Sequence, residues 1–465
     1  MRIALLIILL ASLGFAKPKP SEVLHVVNEN STLDTDANGV YDFQDCLNYW
    51  YSLYHDTSHV VRIKTSIQYN TSDNAMSIHW DLFSIDFDTS STWGQDATVS
   101  LAGGNEYILD EICEYMEADS AVRWRQIKYA ALWFGMPLKL RHNDKVGNLP
   151  TSAYSGDSCI VKSIASALVL FVRPGCDVRP TQIEPNFDNR LVYNSSQYNA
   201  RFYNYTQGIT SLYDIYQHND TLAIYMLPTV LDADSIVHVR RMLAKSLESP
   251  IVNGKTRSKS SWAVIDEAPT HSYTTRQFTD SSYFRNTIRS LFNECVLWDK
   301  DSVANQDTCK IGWPGNPTLQ SGDSVLFFWC AGEKHSPVPD SSEGWFRQIN
   351  LKPANGSLTW FNESYFGYST RGGIRPSGTQ TQSLVSDAIA AGYTYAIGQA
   401  HEPYASGMTN PIKMSVLLRQ RDLPFAVLAH LSNYHVNSLN VPVGNPIGVL
   451  NASEKEKNWN SWRRW

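Results

Sequence analysis

The chain has 465 residues, a formal net charge of −6 and 43% hydrophobic residues, with 14 Trp and 24 Tyr. This apolar and aromatic content excludes an intrinsically disordered chain and predicts a well-filled core, in two or three domains or in one large α/β unit with insertions. The acidic balance and the lack of a long basic run argue against nucleic acid as a partner.

The N-terminus has the pattern of a cleaved secretory signal. Met1 and Arg2 form a short positive region, residues 3–13 are almost entirely apolar, and Gly14 and Ala16 offer small side chains to a signal peptidase. The apolar run is short for a bilayer span, although an uncleaved anchor is the alternative. No later stretch has the ~18 continuous apolar residues of a spanning helix. We therefore expect a signal peptide over residues 1–16, secretion to the extracellular space and no stable membrane insertion.

Asn-x-Ser/Thr sequons without proline at the middle position fit the secretory route. We expect surface glycosylation at these positions because a glycan needs an exposed segment. The sequons begin at Asn30, Asn70, Asn194, Asn204, Asn219, Asn355, Asn362 and Asn451.

The seven cysteines are too few for a disulfide scaffold, but they suit a large core with two or three added bridges. Two pairs are close enough in sequence to be local, and a third cross-link uses the remaining candidates. The predicted pairs are Cys159–Cys176, Cys295–Cys309 and Cys46–Cys113. Sequence does not fix connectivity, and on this pairing Cys330 is the unpaired thiol.

Apolar segments alternate with amphipathic ones in the first half of the chain. Strands are predicted at residues 23–27, 60–63 and 127–134, and helices at residues 40–54 and 106–116. The first helix is indicated by apolar residues at three- and four-residue spacing, which give it one buried face. The third strand is a continuous apolar run that ends at Gly135-Met136-Pro137, as in a strand buried on both faces.

The second half of the chain repeats this alternation. Strands are predicted at residues 222–227, 262–265, 325–329, 364–367 and 393–397, and helices at residues 236–247, 283–292, 380–391 and 425–431. Asp232 or Asp234 is suited to cap the first of these helices, and Gly392 is placed to end the third.

The alternation predicts an α/β protein with a mainly parallel, doubly wound sheet, helices on both faces, disulfides and an irregular surface insertion. Residues 17–179 and 221–450 form the N-terminal and C-terminal α/β parts. Residues 180–220 are rich in Asn and Tyr and are predicted to be a glycosylated insertion, and residues 451–465 a tail. The sequence shows no internal repeat.

Five short motifs occur in an order that resembles an uncharacterised family of predicted secreted α/β proteins, known mostly from bacteria. The motifs are residues 26–28 (VVN), 129–138 (YAALWFGMPL), 324–329 (SVLFFW), 398–404 (GQAHEPY) and 444–446 (GNP). Trp329-Cys330 departs from the family's Gly-Trp-Tyr, and Asn445 replaces an aspartate, so a role that needs a carboxylate there is in doubt. The resemblance covers residues 23–449 and implies the fold class and secretion, but no activity.

A remoter resemblance is to the caspase- and gingipain-type peptidase fold. In that fold a His follows one parallel strand and a nucleophilic Cys follows the next. Here Trp329-Cys330 follows the first such strand, and Tyr368-Ser369 follows the second. The resemblance therefore implies a C-terminal part of this type without the His/Cys dyad, inactive by that mechanism.

Cys330 is the candidate nucleophile because it ends a predicted parallel strand, where open α/β sheets bind ligands. His335 lies five residues on, and His401-Glu402 follows another strand end. A cysteine with a histidine oriented by a carboxylate is the minimum for thiol catalysis, and a structural cysteine is the alternative. His401 and Glu402 with His335 or Asp266 are a candidate metal set. No His-x-x-x-His spacing fixes them on one face, so we predict neither a metal nor another cofactor.

Three further features carry candidate binding residues. Ser369, Arg371 and Arg375 lie in a glycine-containing loop suited to an anion, or in an ordinary polar turn. Asp266-Glu267 is a candidate acid–base pair, although adjacent residues of an extended chain point in opposite directions. Four aromatic residues are candidates for a sugar- or peptide-binding surface, or alternatively for the core: Trp345, Phe346, Trp360 and Phe361.

Two functions follow from these features. The preferred one is a non-catalytic extracellular recognition or structural protein on a hydrolase-like scaffold, with a protein or a glycan as its ligand. The alternative is a secreted hydrolase, such as a thiol peptidase, that uses Cys330 with His335 or His401.

Overall fold

The structure is a computed structural model that describes the chain in segments. These are residues 18–29, 31, 33–63, 66–70, 75–79, 96–99, 112, 114–116, 118–119, 122–123, 126–136, 138–142, 160–163, 165, 226–258, 260–267, 282–293, 295–300, 323–331, 352–361, 384–399, 411–432 and 440–453. The predicted insertion at residues 180–220 lies outside them, as do the predicted strand at residues 364–367 and most of the predicted helix at residues 106–116.

The regular elements alternate along the chain as the sequence predicts. In chain order the strands are β1 (Val23–Asn28), β2 (Val60–Ile63), β3 (Ser66–Asn70), β4 (Ala75–His79), β5 (Asp96–Val99), β6 (Tyr129–Trp133), β7 (Lys139–His142), β8 (Ile160–Ser163), β9 (Leu227–Leu231), β10 (Ile251–Val252), β11 (Lys255–Thr256), β12 (Ser261–Glu267), β13 (Val296–Lys300), β14 (Ser324–Ala331), β15 (Pro353–Phe361), β16 (Tyr395–Gln399), β17 (Asn440–Val443) and β18 (Asn451–Ala452). The α-helices are α1 (Asp42–Tyr54), α2 (Ile236–Lys245), α3 (Ser282–Leu291), α4 (Leu384–Ala391), α5 (Pro411–Arg419) and α6 (Phe425–Leu431).

A large sheet runs through both halves of the chain, in the order β13-β12-β14-β15-β16-β17-β9-β6-β1-β2. Its neighbouring strands are parallel, except that β16 and β17 run antiparallel. Smaller sheets are formed by β3 with β4, by β5, β7 and β8, and by β10, β11 and β18. The prediction of a mainly parallel sheet is therefore confirmed.

The large sheet contains the same winding twice. Along the sheet, β2, β1, β6 and β9 are the second, first, third and fourth strands of the first winding. The second winding places β13, β12, β14, β15 and β16 in the order second, first, third, fourth and fifth. Each winding reverses direction between its first and third strands, so each has a topological switch point there: between β1 and β6, and between β12 and β14.

Helices pack in two groups, as a doubly wound sheet requires. Helix α1 contacts α2, and α2 contacts α4, whereas α3 contacts α5, and α5 contacts α6. Right-handed crossovers that run in opposite directions along a sheet place their helices on opposite faces. In the second winding, α3 joins β12 to β13 and α4 joins β15 to β16 in opposite directions, so the two groups cover the two faces.

Strands in the middle of the sheet are buried along their whole length. Every residue of β1, β6 and β16 is buried. Helix α1 places Phe43, Leu47 and Trp50 into the core and leaves Tyr51 54% exposed, which is the one-sided pattern read from the sequence. The helix ends at His55, whose φ of 54° is left-handed.

Several element boundaries differ from the sequence prediction. The predicted strand ends at Leu227, because the following Pro228 is typical of a strand terminus. In the structure β9 instead begins at Leu227 and includes Pro228, which fits a position where its missing N–H is not needed. The cap of α2 is Ser235, which accepts a hydrogen bond from the Val237 amide, and not Asp232 or Asp234. Strands β13, β15 and β17 and helix α5 are not in the sequence prediction; β15 contains Pro353 and Gly356, which are typical of turns.

Two other sequence assignments change in the structure. Strand β9, counted with the C-terminal part, pairs with β6 of the N-terminal part. Asn451 and Ala452, assigned to the tail, form β18 beside β10. Among the described residues, no helix is long and apolar enough to cross a membrane.

Candidate functional site

Cys330 lies at the carboxyl edge of the large sheet, at the switch point of the second winding. It is the last residue but one of β14, and its cross-strand neighbours are Asp266 of β12 and Phe361 of β15. Glu267 is paired with Ala331 one step further along. Two acidic residues and a cysteine therefore share the edge at which open α/β sheets bind ligands.

The structure brings Asp266 to Cys330, which sequence analysis did not. The two residues are 64 positions apart, and β13 lies between their strands in the sequence. The signal was available in the rule that a doubly wound sheet places its third strand beside its first. For the strands that end in Asp266-Glu267 and Cys330-Ala331, that rule predicts the observed pairing.

The histidines proposed as partners of Cys330 follow strand ends at the same edge. His335 comes after β14, which ends at Ala331, and His401 comes after β16, which ends at Gln399. Strand β15 lies between β14 and β16, so those two strands are about 9–10 Å apart, two strand spacings. His335, His401 and Glu402 themselves lie outside the described residues, as do Ser369, Arg371 and Arg375 of the anion-binding loop.

Gln399 ends β16 with a buried polar pair. Its side-chain amide donates to Oδ1 of Asn440, the first residue of antiparallel β17, and both residues are fully buried. The Gln399 Oε1 atom is also buried and has no hydrogen-bond partner in the described part of the chain. Polar groups therefore extend along the carboxyl edge as far as the boundary between the two windings.

Two of the four aromatic residues proposed as a binding surface belong to the core. Trp360 and Phe361 are fully buried in β15. The Trp360 ring packs against Trp329 at 6.1 Å between ring centroids, and the Phe361 ring packs against Phe328 at 6.4 Å. Of the two alternatives, the core is confirmed for this pair, because β15 is an inner strand of the sheet. Trp345 and Phe346 lie outside the described residues.

Two buried histidines of the described chain are structural. His25 in β1 accepts a hydrogen bond at Nδ1 from Trp133 Nε1 at 3.1 Å, and burial lowers its pKa to about 3. His430 in α6 contacts the Pro228 carbonyl oxygen at 2.7 Å through Nε2, and burial lowers its pKa to about 4. Both imidazoles are therefore neutral at pH 7, where they serve as packing and hydrogen-bonding groups.

At the switch point of the first winding, the strand ends are tied to one another. Asn28 at the end of β1 donates from Nδ2 to the Gly135 carbonyl oxygen at 3.2 Å. The Gly135 amide in turn donates to Oδ2 of Asp232 at 3.4 Å, and Asp232 also accepts the Ala233 amide at 2.7 Å. Asn28 and Asp232 are buried, so these bonds fix the ends of β1, β6 and β9 to one another.

An acidic loop lies between β1 and α1, after the carboxyl end of β1. One carboxylate oxygen from each of Asp34, Asp36 and Asp42 lies within 4.8 Å of the others. Arg240 of α2 donates to Asp36 at 3.3 Å and to Asp45. Sequence analysis did not single out this loop, although the alternating acids before Asn38-Gly39 are a recognisable signal.

Cys46 does not form the disulfide predicted for it. It is a free thiol, fully buried in α1, so its predicted bridge to Cys113 is wrong. A helical apolar stripe gives a cysteine of this kind a place in the core without a partner. Burial, and then the nearby Asp42, raises the pKa of the Cys46 thiol well above its usual range, so Cys46 is an inert core residue. Cys113, Cys159, Cys176 and Cys309 lie outside the described residues.

Two of the sequons lie in contrasting surroundings. Asn355 is exposed near the start of β15. Asn451 is 2% exposed, and its Nδ2 donates to the carbonyl oxygens of Leu418 at 3.1 Å and Arg419 at 3.0 Å. A glycan is attached through this nitrogen, so Asn451 is unsuited to carry one in the folded protein. Asn70 belongs to β3, and the other sequons lie outside the described residues.

Comparison with known proteins gives remote structural similarity. No family model matches the chain, and no curated protein matches it at a significant level. The Arg-specific cysteine proteinase gingipain R (RgpB) is 9% identical over 94% of this chain and 80% of its own, with a TM-score of 0.40. A second protease is 9% identical over 93% of this chain and 79% of its own, with a TM-score of 0.37. The complex of the Porphyromonas gingivalis RgpB pro- and mature domains is 11% identical over 51% and 60%, with a TM-score of 0.30.

These remote similarities say nothing about the function of this chain. The α/β class rests on the sheet itself, with its parallel strands and two groups of helices. The resemblance to a bacterial secreted family remains a prediction.

Proposed function

We propose that the protein is a secreted recognition protein that binds an extracellular protein or glycan at the carboxyl ends of β12 and β14. The observation that carries this proposal is the pairing of Asp266 with Cys330 and of Glu267 with Ala331 at a topological switch point. Carboxylates accept hydrogen bonds and attract cations, so the ligand presents hydroxyl, amine or guanidinium groups at this edge.

The strand order favours recognition over thiol catalysis. The strand that precedes His401 is not adjacent to β14. The competing function is a secreted hydrolase that uses Cys330 with His335 or His401, and it is favoured by the position of Cys330 at a strand end where substrates bind.

Alkylation of Cys330 separates these two functions. We expect iodoacetamide to modify Cys330 in the folded, secreted protein with the pH dependence of an ordinary thiol, whose pKa is about 8.5. The matched control is Cys330→Ala, which identifies the modified peptide by its loss. Rapid alkylation near pH 6 that disappears in His335→Ala or His401→Ala would establish the hydrolase instead.

Binding is tested with charge-neutral variants at the same edge. The secreted protein is screened against glycan and peptide arrays, and any ligand found is titrated against Asp266→Asn and Glu267→Gln. We expect at least a tenfold loss of affinity in these variants, since each removes a charged acceptor. Asp323→Asn is the control, because Asp323 precedes β14 at the opposite edge of the sheet. An equal loss in all three variants would contradict a site at β12 and β14.

Secretion and glycosylation are part of this proposal. The exposure of Asn355 supports a glycan at that sequon, and the hydrogen bonds of Asn451 argue against one there. In protein secreted from eukaryotic cells, Asn355→Gln should lower the mass by one glycan, whereas Asn451→Gln should leave the glycan mass unchanged. Intact-mass spectrometry before and after enzymatic deglycosylation distinguishes the two.

A further inference from the structure

The loop from Asp34 to Asp45 has the ligand pattern of a calcium-binding loop. Its sequence is Asp-Thr-Asp-Ala-Asn-Gly-Val-Tyr-Asp-Phe-Gln-Asp. Calcium loops of the EF-hand type carry acidic or amide residues at positions 1, 3 and 5, Gly at position 6, a backbone carbonyl ligand at 7, a ligand at 9 and a carboxylate at 12. The chain matches all of these positions, with Asp rather than Glu at position 12.

The backbone is folded around the first of these residues. Asp34 accepts the Asn38 amide at Oδ1, at 3.0 Å, and the Gly39 amide at Oδ2, at 2.9 Å. Gly39 has a φ of +85°, a conformation that only glycine adopts without strain and that a calcium loop needs at position 6. The loop then enters α1 at Asp42, so positions 9 and 12 lie on the first turn of a helix.

The carboxylates converge at a spacing that suits one ion. The oxygens of Asp34, Asp36 and Asp42 lie within 4.8 Å of one another. Calcium binds oxygen at about 2.3–2.6 Å, so two ligands of the same ion are at most about 5 Å apart. One calcium ion can therefore reach all three carboxylates.

A buried oxygen in the loop gives an independent reason to expect a cation. Oδ1 of Asp36 is enclosed by the protein and has no hydrogen-bond partner among the described residues. Arg240 binds the other oxygen of Asp36 and one oxygen of Asp45. One guanidinium is thus shared between two carboxylates. The remaining oxygen, Oδ1 of Asp36, is held away from water without a partner, which is unfavourable unless a cation binds it.

We propose that residues 34–45 form a Ca²⁺ site, independent of the recognition site proposed above. The ligands are the side chains of Asp34, Asp36, Asn38, Asp42 and Asp45 and the Val40 carbonyl. The shorter Asp45 in place of Glu and the competing Arg240 guanidinium both weaken binding. We therefore expect a dissociation constant of about 10⁻⁴–10⁻³ M, the range of extracellular calcium modules.

Calcium at this loop would connect two parts of the fold. Thr35 accepts the Ile236 amide at the start of α2 at 2.9 Å through Oγ1, and the Thr35 amide and hydroxyl both donate to Asp42. An ion bound to Asp34, Asp36 and Asp42 therefore also stabilises the contact between α1 and α2.

Titration of the full-length secreted protein tests the site. After treatment with EDTA, Ca²⁺ binding is measured by calorimetry, and Tb³⁺ binding by luminescence excited through the loop residue Tyr41. We expect Asp34→Asn and Asp36→Asn each to weaken Ca²⁺ binding at least tenfold. Asp56→Asn, which changes an aspartate beyond α1, should bind as the wild type does.

Removal of the Arg240 guanidinium, which binds Asp36 and Asp45, should strengthen Ca²⁺ binding. Arg240→Gln should bind Ca²⁺ at least threefold more tightly, because it frees an oxygen of Asp36 and of Asp45. Circular dichroism in EDTA identifies any variant that does not fold. The proposal is overturned if wild-type protein binds neither ion at millimolar concentrations, or if both aspartate variants that fold bind Ca²⁺ as tightly as the wild type.

Discussion

Asn445 joins three parts of the chain through one side chain. Its Nδ2 donates to the Tyr54 hydroxyl of α1 at 2.6 Å and to Ser246 Oγ after α2 at 2.8 Å, while its Oδ1 accepts the Ile447 amide at 3.2 Å. Ser246 Oγ already donates to the Leu243 carbonyl oxygen, so it requires a donor at position 445. An aspartate has no such donor, which gives a physical reason for asparagine at this position.

Asn445→Asp should therefore destabilise the protein. The change leaves a buried hydroxyl without its donor and introduces a buried charge, so we expect a loss of about 1–3 kcal/mol in the free energy of unfolding. Urea denaturation measures it, with Asn48→Asp at an exposed position of α1 as the control, expected to change the free energy by no more than about 0.5 kcal/mol. Equal stability of the two variants would show that the donor at position 445 does not matter.

The buried histidines predict acid sensitivity of the fold. Burial lowers the pKa of His430 from 6.5 to about 4 and that of His25 to about 3, so between these values and 6.5 the unfolded chain binds more protons than the folded one. The stabilisation is complete above pH 6.5 and is lost as the pH falls towards 4. Each histidine contributes a slope of up to about 1.4 kcal/mol per pH unit.

Urea denaturation at several pH values between 7 and 4.5 tests this. His430→Gln keeps an N–H donor for the Pro228 carbonyl and cannot titrate. It should therefore reduce the slope of the free energy of unfolding against pH by the equivalent of about one bound proton. Asn48→Ala changes an exposed residue of α1 that carries no titratable group, and it should leave the slope unchanged. An unchanged slope in His430→Gln would mean that His430 titrates alike in both states.

At the scale of elements, the sequence predicts those with strong periodicity. Helix α1 and strands β1, β2 and β6 follow from apolar spacing, and the cap at Gly392, with a φ of +107°, follows from residue type. Strand β15 was missed because its burial comes from the neighbours β14 and β16, and Pro353 and Gly356 hide it. The pairing of Asp266 with Cys330 depends on sheet order, which local pattern does not contain.

Close contacts around Tyr395 of β16 predict which glycines cannot be replaced. A Cβ on Gly448 would lie 2.0 Å from the Tyr395 hydroxyl, and one on Gly444 would lie 2.5 Å from its ring. We expect Gly448→Ala to cost more than about 2 kcal/mol by overpacking. Adding Tyr395→Phe should recover part of the loss, because it removes the nearest atom.

Gly254→Ala is the matched control for this test. Gly254 has a φ of +77° and no atom within 4 Å of an added Cβ, so its replacement costs about 1–2 kcal/mol of backbone strain alone. Thermal unfolding compares Gly448→Ala, its combination with Tyr395→Phe, and Gly254→Ala. Failure of Tyr395→Phe to improve Gly448→Ala would exclude the hydroxyl contact as the cause.

At the scale of the whole molecule, the sheet consists of two similar windings joined by one strand. The repeat is in the strand order, β2-β1-β6-β9 and β13-β12-β14-β15-β16, while the sequence shows no internal repeat. Apolar burial constrains the kind of residue at each position rather than its identity, so a common topology can persist without a visible sequence repeat. The switch points are the places where the two windings carry different chemistry: a cysteine with acids in one, and an acidic loop in the other.

Strand β17 is the last strand of the large sheet to be synthesised. It lies between β9 and β16, yet it follows the other nine strands of the sheet in the sequence. On the ribosome, both flanking strands therefore remain open edges until residues 440–443 have emerged, and open edges of parallel strands invite pairing between nascent chains. A chain ended at residue 432 should accumulate as aggregates, while the chain that includes β17 should not, as pulse-chase labelling followed by sedimentation would show. Closure of the large sheet is thus a late step in synthesis, at a stage when most of the core-forming strands have already emerged.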